Sequence, residues 1–514
     1  MDNAFLEFTN RLRGMLDSDP RHALSIVRLL DLKSFNNAFL YSSVLIDAGH
    51  ILNDKSAVKD GVSILRELLE SHDSVDLKYN LANGLASLVS NPPHNDEWLE
   101  HQELTRKKRY EIRQLYWDAA SAPDVGPSIR TQALTNLANQ FSNSYRLSEA
   151  HDTRLNALKV DAKNAVAAAS ASLELMWLHK MGIGSDTAYT EAVILAKVAN
   201  ENSDRLEELV GSQNAAIILE YAGSLPTASN RSLHKDPFIN WVESERLTLS
   251  PTVELVEASL DQIDYLMLPP ITGSVEKESP TYLEAVPPVF AMFNTLKSDF
   301  LIARHLAWKV LSKNSWPKTS SYADTLDYAV YGSEIAAITL AHRSALDLLD
   351  KVAIIANHYF KLGQNPKSLN FTNLWRYENK EIKEYLLRKK VENTIKSYAP
   401  ALYGLVELSD DYRFKLGALN EQKDIRNAST HRFVVLHDMG VSWQNYKQAE
   451  IQHYELSTFT NETLKALRLA RSAIQMLVLA IYQYEHKLSH ATSGIKITQS
   501  VPQHDWIRRG NKTD

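Results

Sequence analysis

The sequence predicts an all-α chain in two parts, a solenoid of helical hairpins followed by a helical bundle. Three observations carry that prediction. Apolar residues recur at three- and four-residue spacing nearly throughout, as in Val62, Leu65, Leu69 and Leu134, Leu137, Phe141, which puts each set on one helix face. Breakers are few, 17 Gly and 17 Pro in 514 residues, so long helices can run uninterrupted. A tetrad, Asn80-Leu81-Ala82-Asn83, returns as Asn136-Leu137-Ala138-Asn139, the mark of an internal repeat.

The second copy reads through a whole hairpin. Leu134, Leu137, Ala138 and Phe141 line one helix, Arg146-Leu147 sit at a turn, and Glu149-Ala150 open a second helix ending near Ala157-Leu158. Small Ala138, Ala150 and Ala157 let the two helices approach closely, while Leu137 and Phe141 fill the groove between them. This pattern resembles a tetratricopeptide repeat, although Ala162 stands where that family prefers Pro. The copy at Asn80 carries a long insert before a second helix expected near Leu104 to Ala120. Further hairpins are expected at 36–70 and at 164–200, the latter with Ala192 and Ala199 as small contacts. Residues 1–225 are therefore expected to form the repeat domain, with a plain bundle of alanine-rich helix pairs as the alternative.

Residues 226–287 hold Pro226, Pro237, Pro251, Pro269, Pro270 and Pro280 and read as an irregular connector. Long helices resume after Pro287-Pro288, at about 289–313, 332–362, 379–397, 401–434 and 457–489, and predict a bundle over 288–490. The polar, aperiodic stretch 491–514 reads as a flexible tail.

Composition narrows the chemistry. Hydrophobic residues make up 44% and charged residues 23%, an ordinary globular balance. With no cysteine there are no disulfides, no thiol nucleophile and no thiolate metal site. The net charge is −6, yet residues 285–490 carry 26 Lys or Arg against 20 Asp or Glu, so an anionic partner fits the second part better than the first. Asp2 and Glu7 near the start, without a basic region before an apolar core, do not fit a secretory signal. The most apolar window, Ala473 to Tyr482, is too short to span a bilayer. A soluble, cytoplasmic protein with no membrane partner is expected.

One segment concentrates chemistry: Asp424-Ile425-Arg426-Asn427-Ala428-Ser429-Thr430-His431-Arg432-Phe433. On a helix Asn427 and His431 are i and i+4, on one face, with Arg426 about 140° from His431. A guanidinium grips two phosphate oxygens and stabilises charge growing in a transition state. An imidazole exchanges protons near neutrality. RNA carries its own nucleophile, the 2′-hydroxyl, so such a pair can cleave it without a metal-activated water. The plain alternative is a solvated Arg426 and a core His431.

In this setting residues 288–490 resemble a HEPN domain, whose signature is Arg, four to six residues, then His, commonly with a polar residue after the Arg. Phe293-Asn294-Thr295-Leu296-Lys297-Ser298-Asp299-Phe300 with Ala303-Arg304 looks like the first helix of a HEPN subfamily found behind helical repeats in bacteria. Arg343-Ser344-Ala345-Leu346-Asp347-Leu348-Leu349-Asp350-Lys351 looks like its second. The resemblance implies a metal-independent endoribonuclease, with no cofactor and no metal, acting as a regulated toxin or phage-defence effector. It implies that two domains pair in a homodimer so that two Arg/His sets share one cleft. Carried over, Arg426 binds the scissile phosphate, His431 is the acid/base or positions the 2′-hydroxyl, and Asn427 orients the pair or binds RNA. The products expected are a 2′,3′-cyclic phosphate and a 5′-hydroxyl. Asp299, Arg304, Arg343, Asp347, Asp350, Lys351 and Arg432 are expected to support the site or bind RNA. An ion-pair ladder at the surface or bundle edge is the alternative for Arg343, Asp347 and Lys351, and likewise for Asp299 and Arg304. The helical repeats would take a protein trigger or regulator. The competing expectation is a scaffold or sensor whose HEPN module only dimerises or binds RNA.

Weaker signals complete the reading. Arg106-Lys107-Lys108-Arg109 with Arg113 predicts a solvated helix face, or less readily a phosphate-contacting one, and Arg388-Lys389-Lys390 is open between the two. His486 and His490 are spaced as a metal pair but lack a third ligand, so no metal site is expected there.

Overall fold

The computed structural model describes residues 3–89, 97–204, 206–224, 236–251, 254–273, 286–312, 316, 321–413, 425, 432–439, 449–491 and 497–499. Helix dominates, as predicted, and strands are few and short. Contacts divide the chain into two units, 1–171 with 195–222, and 172–194 with 223–514.

The first unit is a run of hairpins. α1 (Asn3–Ser18) and α2 (Pro20–Val27) precede α3 (Phe35–Ile51) and α4 (Lys55–Ser71). They are followed by α5 (Val75–Val89) with α6 (Trp98–Ser121), and α7 (Pro127–Ser142) with α8 (Leu147–Val160). Polar caps set the starts: the Ser34 hydroxyl accepts from Asn37 N–H before α3, and Asp54 accepts from Ser56 and Ala57 N–H before α4. Each helix packs on the next, and α3 also meets α5 while α5 meets α7, so successive hairpins pack on one another. Leu65, Leu77 and Ile112 are fully buried in the shared core, each contributing about 1.5–3 kcal/mol.

The repeated tetrads face one another. Asn83 Oδ1 accepts from Asn136 Nδ2 at 3.1 Å and from Tyr116 OH at 2.8 Å. The hairpin of α7 and α8 matches expectation closely: Ala138, Ala150 and Ala157 are fully buried, and Arg146 turns the chain while its guanidinium holds Glu149 at 2.5–2.7 Å. α6 begins at Trp98, six residues before the expected start, because the Trp98 ring packs edge-on against Tyr145 at 5.4 Å. Close approach needs small residues here: a Cβ on Gly61 would lie 2.7 Å from the Ser42 carbonyl oxygen and 2.9 Å from Ile46.

α9 (Ala165–Lys180) and α10 (Asp186–Glu201) follow at the expected place, with Ala192 and Ala199 fully buried, then α11 (Leu206–Val210) and α12 (Ser212–Gly223). The glycines between α9 and α10 make a turn, Gly182 and Gly184 having φ of 75° and 96°. Tyr482 OH donates to the Gly182 carbonyl at 3.1 Å.

In the second unit α13 (Pro237–Ser244), α14 (Leu260–Ile263) and β1 (Ile271–Gly273) lead into α15 (Pro288–Leu311). β2 (Ala329–Val330) and α16 (Ser333–Tyr359) come next, then β3 (Arg376–Asn379), β4 (Glu384–Leu387), α17 (Lys389–Ser397) and α18 (Leu402–Arg413). β5 (Phe433–His437), β6 (Ile451–Glu455), α19 (Leu456–Ala491) and β7 (Ile497–Gln499) complete it. α15, α16 and α19 pack pairwise and α18 lies on α19. Every residue of α18 from Leu402 to Tyr412 is buried.

The described part of the connector packs on this bundle. Leu247, Leu249, Ile263 and Leu266 are fully buried. Arg468 donates to Glu245, Arg471 to the Arg246 carbonyl and Gln475 to the Leu249 carbonyl, so α19 satisfies a run of backbone that forms no helix of its own.

Two stretches differ from the helices expected. Residues 376–387 form an antiparallel hairpin, Arg376 opposite Leu387 and Asn379 opposite Glu384. Asn379 Oδ1 accepts from Glu381 and Ile382 N–H, and Lys383 adopts φ 53°. A local Asx turn thus overrides the helix propensity of Lys380-Glu381-Ile382-Lys383-Glu384. Helix was also expected through 434, but Phe433-Val434-Val435 enter β5, as aromatic and β-branched residues favour. β5 lies central in a three-stranded sheet, antiparallel to β2 and parallel to β6.

Candidate functional site

Arg426, Asn427 and His431 lie outside the described residues; they fall in the chain between α18 and β5. Arg432, the residue before β5, is exposed.

The supporting candidates divide by place. Asp299 on α15 and Lys351 on α16 form an ion pair between neighbouring helices, each side chain more than a third exposed. Asp350 Oδ1 accepts from Phe371 N–H at 2.7 Å and so fixes the chain leaving α16. Arg343 is exposed and Asp347 half-buried on α16. Arg304 is 2% exposed. Its guanidinium makes a two-pronged pair with Asp264, both bonds 2.7 Å, donates to the Leu247 carbonyl at 2.9 Å, and lies 5.3 Å from the Phe238 ring centroid. These partners make Arg304 a clasp between α15 and the connector.

The basic run on α6 is neither solvated as a whole nor open to phosphate. Arg106, Arg109 and Arg113 are buried, Arg109 donating to the Gln102 carbonyl and Arg113 lying 5.0 Å from the Tyr110 ring, while Lys107 and Lys108 point out. Arg388 caps α17 and donates to the Asn373 carbonyl, whereas Lys389 and Lys390 are exposed.

Next to the motif, α18 carries buried charge. Asp410 accepts from Arg376 Nε at 2.9 and 3.0 Å, with both residues nearly fully buried. Arg413, at the end of α18, lies over the Tyr385 ring at 4.7 Å; burial holds its pKa below the usual guanidinium value, and Asp410 opposes that shift. A paired arginine–carboxylate core of this kind fixes the helix that leads into residues 414–431.

β5 leads out of the motif, and its last residue, His437, is buried. His437 Nδ1 is 2.9 Å from the Asp327 carbonyl oxygen, and His437 Nε2 is 2.9 Å from His453 Nδ1 on β6. A carbonyl can only accept, so His437 Nδ1 carries the proton and Nε2 presents a lone pair to His453. The Asp327 carboxylate accepts from Thr325 and Ala329. The Thr325 hydroxyl, with help from the Ala329 N–H and His437, holds its pKa below the usual carboxylate value. Burial, and then His437, lower the pKa of His453. Asp327, His437 and His453 place one ligand atom each within 4.8 Å of one another, the one such cluster among the described residues. Sequence reading missed it because the three positions share no periodicity: they are separated by 110 and 16 residues and meet only through sheet pairing. His486 and His490 do meet edge to face, with ring centroids 4.7 Å apart, but no third ligand joins them among the described residues.

Residues 281–484 match the family model described as LA2681-like HEPN, which spans the bundle and encloses the Arg426–His431 segment. Over these residues the chain is similar to LA2681-like HEPN domains. No curated protein and no solved structure matches the chain. Among the described residues no helix is long and apolar enough to cross a membrane.

Proposed function

We propose that this protein is a HEPN-type endoribonuclease whose reacting groups are Arg426 and His431. The observation that carries the reading is that an Arg-Asn-x3-His sequence lies inside the segment matched to a HEPN family. His431 takes the proton of a ribose 2′-hydroxyl, or orients it, and the 2′-oxygen attacks the adjacent phosphorus. Arg426 binds the non-bridging oxygens as their charge grows, and Asn427 holds the pair in register. The bond to the 5′-oxygen breaks, that oxygen is protonated, and a 2′,3′-cyclic phosphate and a 5′-hydroxyl are left. Two copies of the domain pair so that both Arg/His sets face one cleft. Asp299 with Lys351, Asp350, Arg343 and Asp347 on the first two bundle helices support that cleft, and the helical repeats receive the protein signal that controls it. The biological setting in this reading is a regulated toxin or phage-defence effector.

The test is direct. The whole chain is incubated with RNA without added divalent cation and the product ends are analysed. Cleavage leaving cyclic-phosphate ends is expected, with His431→Ala slower by about 10²–10⁴ and Arg426→Ala by about 10²–10³. Cleavage that survives both substitutions rejects the assignment. RNA bound equally well by wild type and by both variants, with no cleavage and no growth arrest on expression, favours a binding scaffold.

A further inference from the structure

We infer that Asp327, His437 and His453 form a binding site for one divalent transition-metal ion of the zinc class, which pins the three-stranded sheet β2-β5-β6. This goes beyond the nuclease reading and does not depend on it.

The strand register brings the ligands together. His437 stands opposite Ala329 of β2, two residues after Asp327, and His453 stands opposite Val435 in the parallel pair of β5 and β6. Side chains two apart on a strand share a face, so His437 and His453 lie diagonally on one side of the sheet. Their nitrogens already face each other across 2.9 Å. Two imidazole nitrogens on a tetrahedral zinc, each about 2.0–2.1 Å from the metal, lie roughly 3.3 Å apart. The ion therefore takes the place of the shared proton with the rings parting by only a few tenths of an ångström.

Asp327 serves twice. Its main-chain carbonyl accepts from His437 Nδ1, the outer contact that fixes the tautomer of a metal-ligating histidine and leaves Nε2 to the metal. Its carboxylate Oδ1 is engaged by Thr325 and Ala329, which leaves Oδ2 to complete a two-histidine, one-carboxylate set. The backbone on either side is committed to this arrangement: Leu326 and Tyr328 both sit in the left-handed region, at φ 56° and 59°. For residues with a Cβ that conformation is unfavourable and persists where its surroundings demand it. Imidazole ligands select zinc-class ions over Mg²⁺ or Ca²⁺, and three protein ligands leave a fourth position for water. The sheet needs such a clamp, since β2 has 2 residues and β5 and β6 have 5 each.

The experiment uses the whole chain, stripped with a chelator and titrated with Zn²⁺ by calorimetry and with Co²⁺ by visible absorption. One equivalent of Zn²⁺ is expected, with a four-coordinate Co²⁺ band that Zn²⁺ displaces. Asp327→Asn and His453→Gln, both partly exposed positions whose folding is checked by circular dichroism, should each weaken that equivalent at least about 100-fold, the upper end of the cost of outer-shell changes alone. His490→Ala, which breaks the edge-to-face pair on α19, should leave it intact. No saturable binding, binding unchanged in His453→Gln, or binding lost in His490→Ala alone would each overturn the site. RNA cleavage does not enter these readouts, so failure of the metal site and failure of the nuclease assignment are separable.

Discussion

Replacing Arg304 by Met tests whether this residue is an internal clasp or an RNA contact. The structure buries it to 2% exposure and gives its partner Asp264 13%, with two bonds of 2.7 Å between them and a third to the Leu247 carbonyl. Methionine fills much of the volume but leaves the Asp264 carboxylate and one carbonyl without their donor. Removing one partner of a buried pair costs about 3–5 kcal/mol, mostly the penalty of the charge left behind. Converted at 1.36 kcal/mol per decade, opening of this region becomes about 10² to several times 10³ more frequent. Amide hydrogen exchange read by mass spectrometry should show that acceleration in α15 and in residues 247–266, with α3 to α8 unchanged. Adding Asp264→Asn to Arg304→Met should recover a large part of it, because no charge is then stranded. Exchange within threefold of wild type, together with weakened RNA binding, would refute the clasp and return Arg304 to the nucleic-acid surface.

Two further outcomes follow from single contacts. Gly61→Ala should destabilise the first unit by about 1–3 kcal/mol in urea unfolding despite alanine's better helix propensity, because the new methyl meets the immovable Ser42 carbonyl; equal or greater stability would mean that α3 and α4 do not approach so closely. Lys297 donates to the Leu266 carbonyl, and burial lowers its pKa while Asp264 partly opposes the shift. The unfolded chain therefore holds a proton that the folded one releases between the lowered value and about 10.5, so stability from this group is lost as pH falls through the folded value. Lys297→Met should melt higher than wild type at pH 7, and the gap should narrow as pH rises toward 10; a lower melting temperature at pH 7 would show that the ammonium is stabilised where it sits.

Much was legible in local pattern. Helix periodicity, the repeated Asn-Leu-Ala-Asn tetrad and the alanines of the second hairpin fixed α3 to α10 because helical hairpins are built from neighbours in sequence. The long bundle helices α15, α16 and α19 were legible for the same reason, as was the HEPN resemblance, which rests on short runs within single elements. The misread stretches were those where a turn or a sheet partner outweighs helix propensity: Asn379 capping the turn of β3 and β4, and Phe433 to His437 finding β2 and β6.

Only the tertiary structure decided what the charged residues do. Arg106, Arg109 and Arg113 read as a solvated helix face in sequence and Arg304 as a supporting or RNA-binding residue, yet each is buried among aromatic rings, carbonyls or a carboxylate, because a guanidinium with enough acceptors tolerates burial where a lysine ammonium does not. The meeting of Asp327, His437 and His453 is likewise a product of strand register, which joins positions far apart in the chain. The order of residues determines the helices and the motif they carry; which polar groups become partners depends on distance in space, and that is settled when the elements pack.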